Sequence, residues 1–71
     1  MKKPTAKKVS ELMLFIGAQL DQSLAEVKNT ENETDFRRYR DSVSKLMTTM
    51  LLEVMNPLYA EHPDLKPPQL E

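Results

Sequence analysis

Val9 to Val27 reads VSELMLFIGAQLDQSLAEV, and its apolar residues Val9, Leu12, Met13, Ile16, Leu20, Leu24 and Val27 recur in steps of three or four apart from the adjacent pair Leu12 and Met13. That spacing places them along one side of an α-helix, because each residue turns the chain by about 100°. A second stripe runs through Phe36, Tyr39, Val43, Leu46, Met47, Met50, Val54 and Leu58. One glycine, Gly17, and long stretches without proline leave little material for strands and tight turns. The expected fold class is all-α.

The first helix is expected over residues 6 to 28, with Thr5 as N-cap. Asn29-Thr30-Glu31-Asn32 carries turn chemistry, and Thr30 with Glu33 fits a capping box, so the second helix should start near residues 31 to 34. A connection this short returns the second helix antiparallel to the first. Leu24 then lies opposite Phe36, and Ile16 opposite Ser44 to Met47. Asn56-Pro57 suggests a break or kink followed by a helical turn through about Glu61, since proline is unwelcome in a helix interior but well placed at a first position. The expected organisation is a helical hairpin domain over 1–61 and an extended, polyproline-like tail over 62–71, whose Leu70-Glu71 reads as tag-derived.

Each helix holds more apolar residues than one stripe accommodates. Leu12-Met13-Leu14-Phe15-Ile16 is apolar all round, and Met50-Leu51-Leu52 repeats the pattern. Leu14, Phe15, Leu51, Leu52, Met55 and Tyr59 are expected to merge into one exposed patch and to form the interface of a homodimer, two hairpins making a four-helix bundle. Met13, Met47, Met50 and Met55 suit core packing, or a surface that adapts to partner helices. Gly17 allows a close helix approach at the dimer seam.

Chemistry is harder to find. The chain has no cysteine and one histidine, so disulfides, a thiolate nucleophile and a His/Cys zinc site are excluded, and a reducing cytoplasm is the default location. Lys2, Lys3, Lys7 and Lys8 make a charged start, but the apolar run Leu12 to Ile16 is too short for a signal core or a membrane span. These lysines read as a flexible, solubilising end. Lys plus Arg totals 10 against 11 for Asp plus Glu, which argues against a general field for nucleic acid. Arg37, Arg38 and Arg40 around Tyr39 are the one local group suited to phosphate. Yet Glu33 with Arg37, Arg37 with Asp41 and Asp41 with Lys45 are i,i+4 pairs of a solvated face, and Asp21 is placed to reach Arg40 across the hairpin.

Glu61, His62 and Asp64 lack the fixed geometry of a metal site, and Ser42, Ser44, Thr48 and Thr49 lack a nearby histidine base. No cofactor, metal or catalytic residue is expected. In Phe15, Ile16 and Gln19, and in its hairpin plan, the chain resembles the plasmid copy-number regulators of the Rop family, which implies a dimeric four-helix bundle. No functional residue carries over from so short a match. The leading expectation is a small, non-enzymatic protein-interaction module, an adaptor, chaperone-like or regulatory subunit. Its alternative is a dimeric RNA- or DNA-binding regulator using Arg37, Arg38 and Arg40.

Overall fold

The computed structural model describes residues 1–68, which form a hairpin 44 Å long and 19 by 16 Å across. Helix α1 spans Lys3–Thr30 and α2 spans Glu33–Thr49; a π-helical segment, Met50–Met55, continues α2 into α3, Asn56–Glu61. A single 3-10 turn, Pro63–Leu65, comes next. The all-α hairpin is therefore as the periodicity predicts, and no helix is long and apolar enough to cross a membrane among the described residues.

The helix ends differ from expectation. Helix α1 begins at Lys3 with Lys2 as N-cap, and Thr5 lies inside its first turn. Pro4 accounts for the earlier start, because its fixed φ suits a first turn and its missing N–H would have had no partner there. At the other end, Thr30 is the last residue of α1, and its Oγ1 donates to the Glu26 carbonyl at 2.9 Å. The expected Thr30–Glu33 box is replaced by Asn32 and Asp35: the Asp35 backbone N–H donates to Asn32 Oδ1 at 2.8 Å, and Asn32 Nδ2 donates to Asp35 Oδ2 at 3.3 Å. Asn caps at least as well as Thr, and Glu33 and Asp35 place negative charge at the positive end of α2.

The irregularity expected at Asn56 takes the form of a π-helical stretch, not a break, and a short helix follows through Glu61. The backbone stays right-handed helical through Thr49, Met50, Met55 and Asn56, and the Asn56 N–H donates to the Leu51 carbonyl, five residues back. Pro57 has no N–H for the carbonyl of Glu53, and its ring would crowd that carbonyl in a regular α-helix. Widening the preceding turns lets the chain run on through the proline.

The wide turns also rotate the residues beyond them. Met55 and Tyr59 turn inward and are buried together with Leu58, against Ala6 of α1. The expected exposed patch thus loses Met55 and Tyr59 to the hairpin's own core. Leu12 and Leu46, which the spacing assigns to the core stripes, are 51% and 55% exposed at their edges. Val43 is the buried centre of α2.

Residues 63 to 65 are not extended as expected. Their 3-10 turn brings Leu65 onto the cluster of Ala6, Met55, Leu58 and Tyr59, where Val9, Met13, Leu14 and Met50 also pack. The N-terminal lysines are likewise ordered in part: Lys3 pairs with Asp64, and the Met1 amine pairs with Glu61 at 2.7 Å. Leu70 lies outside the described residues.

Candidate interaction surface

A groove of about 390 Å³ runs between the two arms of the hairpin. Met13, Leu14, Gly17, Ala18 and Asp21 of α1 form one wall; Met47, Met50, Leu51 and Met55 form the other. All four methionines named from the sequence thus meet at one place, where their unbranched thioethers offer an adaptable apolar surface. Gly17 opens this groove by lacking a side chain rather than by an unusual backbone, since its φ is not positive. A Cβ at Gly17 would sit 3.8 Å from the Met47 Cε, an ordinary contact.

The six residues expected at an interface are distributed unevenly. Leu14 and Leu51 line the groove, with Leu51 39% exposed. Phe15 and Leu52 are 60% and 57% exposed and do not line it. The reason is angular: each helical residue turns the chain by about 100°, which carries Phe15 past Leu14, and Leu52 past Leu51, away from the groove. Met55 forms part of the groove floor while packed in the core, and Tyr59 is enclosed within the hairpin.

Tyr59 and Tyr39 anchor the two arms to each other. Tyr59 OH and Ser10 Oγ are 2.6 Å apart in a buried pair, and Tyr39 OH and Ser23 Oγ are 2.6 Å apart in a partly buried one. Ser23 Oγ also donates to the Leu20 carbonyl at 2.7 Å, which directs the Tyr39 hydroxyl proton toward Ser23. These two pairs escaped the sequence reading. Their signal was the placement of Ser10, Ser23, Tyr39 and Tyr59 on inward faces, where each hydroxyl requires a partner.

Arg37 and Arg40 engage different neighbours. Arg37 Nη2 donates to Glu33 Oε1 at 2.7 Å, with both groups exposed. The Arg40 guanidinium stands 5.7 Å from the centre of the Phe36 ring, within cation–π range. Among the described residues, neither Arg37–Asp41, Asp41–Lys45 nor Asp21–Arg40 forms an ion pair. Tyr39 is held by Ser23 and is not offered for stacking on a base.

Glu61, His62 and Asp64 fasten the chain ends. His62 Nε2 lies 2.8 Å from the Met1 carbonyl oxygen and 3.1 Å from Glu61 Oε1. The Met1 amine holds the Glu61 carboxyl below its ordinary value of 4.5, with His62 adding to the effect; Lys3 holds Asp64 below its ordinary 3.8. Glu61 and His62 both engage Met1 while Asp64 engages Lys3, and no group of three metal-ligating residues converges among the described residues. Ser42 Oγ and Thr49 Oγ1 donate to carbonyls one turn back, those of Arg38 and Lys45. No protein-family model matches the chain, and neither a curated protein nor a solved structure shows significant similarity to it.

Proposed function

We propose that the chain is a non-enzymatic helical protein-interaction module that acts as a homodimer in the cytoplasm, two hairpins forming a four-helix bundle. The observation that carries this reading is its surface. The chain exposes 5401 Å². A compact monomer of 8.2 kDa is expected to expose roughly 4,500 Å². The excess of about 900 Å² is close to the roughly 800 Å² that each partner contributes to a standard interface. Leu12, Phe15, Leu46, Leu51 and Leu52 are among the large apolar residues that stay exposed.

A thin core supports the same reading. The buried apolar residues among those described are Ala6, Val43, Met55, Leu58 and Tyr59, a small set for two long helices. Sedimentation equilibrium at micromolar concentration tests the proposal: a mass twice that of the chain is expected, and a monomer mass throughout would overturn it.

A further inference from the structure

We infer that the methionine-lined groove is the seam of the homodimer, closed by the same groove of a second copy, with the two hairpin turns at opposite ends. This rests on the homodimer reading above and adds which face is covered and in what orientation. The groove draws on α1 residues from Met13 to Asp21, the middle of a helix that runs from Lys3 to Thr30. A two-fold axis through that midpoint, lying across the helices, reverses one hairpin over the other and overlaps them along their full length. An axis along the helices would put both turns at one end. It would also set the acidic turn of one copy, Glu31, Glu33 and Asp35, against the same turn of the other, whereas opposed turns bring it beside the lysines at positions 2, 3, 7 and 8 of the second copy.

Area and shape both point to a second copy as the occupant. The surplus exposed surface matches one partner's share of a standard interface, and a second hairpin supplies the same elongated apolar face. An isologous contact needs self-complementarity, and methionine side chains repack to provide it. Gly17 and Ala18 leave room between Leu14 and Asp21 for an incoming side chain, and Leu51 stands on the facing wall to supply one.

Leu51 and Leu52 separate this inference from a less specific one, because they are adjacent, alike in chemistry and both exposed, yet only Leu51 lines the groove. Leu51→Glu should raise the dimer dissociation constant by about a hundredfold or more, because it buries an unpaired charge in the seam. Leu52→Glu should change it by less than about threefold. Circular dichroism on both variants checks that the helices persist. Equal effects of the two substitutions on a wild-type dimer would overturn the seam while leaving the homodimer reading intact.

The absence of cysteine permits a clean orientation test with a single spin label at Asn29→Cys. Opposed turns predict a label separation of roughly 40 Å, from the 44 Å length of the hairpin. Turns at one end predict a separation within about 20 Å, given helix spacings of 8–10 Å, and would overturn the proposed orientation. A wild-type monomer in sedimentation would refute both the seam and the homodimer, leaving the groove to a helix from another protein.

Discussion

Tyr59→Phe removes one oxygen from the most enclosed polar contact in the hairpin and leaves its shape unchanged. Tyr59 and Ser10 are 6% and 5% exposed, and their hydroxyls are 2.6 Å apart. A hydrogen bond of this kind contributes about 0.5–1.5 kcal/mol net, and a buried partner left unsatisfied costs about 1–3 kcal/mol. Ser10 lies within α1, where a serine hydroxyl can turn to a carbonyl one turn back and recover part of that loss. The expected cost is therefore about 1–2 kcal/mol. For a domain of this size that is a fall in Tm of roughly 4–16 °C, measured by circular dichroism at one fixed protein concentration because the proposed self-association would shift Tm. Ser10→Ala with Tyr59→Phe should be less harmful than the two single losses added, since the double variant leaves neither hydroxyl stranded. Tyr39→Phe should cost less, because its pair with Ser23 is only partly buried and Ser23 already donates to Leu20. If Tyr59→Phe left Tm unchanged, or if the two substitutions were strictly additive, the Ser10–Tyr59 contact would not couple the arms.

Replacing Arg37, Arg38 and Arg40 together by Gln should leave the sedimentation mass and the helicity unaltered; salt-sensitive micromolar binding of a labelled RNA or duplex pool, lost in this variant, would contradict the assignment of these residues to a solvated face. Glu61 and Asp64 are held below their ordinary carboxyl values in the folded chain, so their stabilising contribution is present in full above about pH 4.5 and lost as pH falls through the lowered values. Urea unfolding should show a small acid loss that Glu61→Gln with Asp64→Asn reduces and added salt weakens, both groups being exposed. An unaltered acid profile in that double variant would rule out these ion pairs as its source. Deleting residues 62–71 should lower Tm by several degrees, because Leu65 packs on the core and Asp64 holds Lys3. An unchanged Tm with random-coil NMR shifts for Leu65 would place that segment outside the fold.

Local periodicity was sufficient for the two long helices, because a stripe of apolar residues every three or four positions has one way to leave water. The short polar connection then implied the antiparallel return. The groove was legible only in parts: Gly17 and the four methionines stood out, but their meeting depends on how the two arms are set against each other. The Ser–Tyr pairs were hidden for the same reason, since each joins residues from different helices.

Residue pattern by itself determined the helical class, the hairpin topology, the excess of apolar residues over one stripe per helix and the absence of cysteine. Tertiary structure decided the faces beyond Met50. Periodicity assumes a constant turn per residue, whereas Pro57 is accommodated by a stretch that takes an extra residue per turn. That smaller turn per residue shifts the faces beyond it and carries Met55 and Tyr59 from the expected surface into the core, while Leu51 remains on the groove and Leu52 does not line it. Packing likewise drew Leu65 onto the core, because an apolar side chain within reach of an uncovered cluster gains by burial whatever the prolines around it favour.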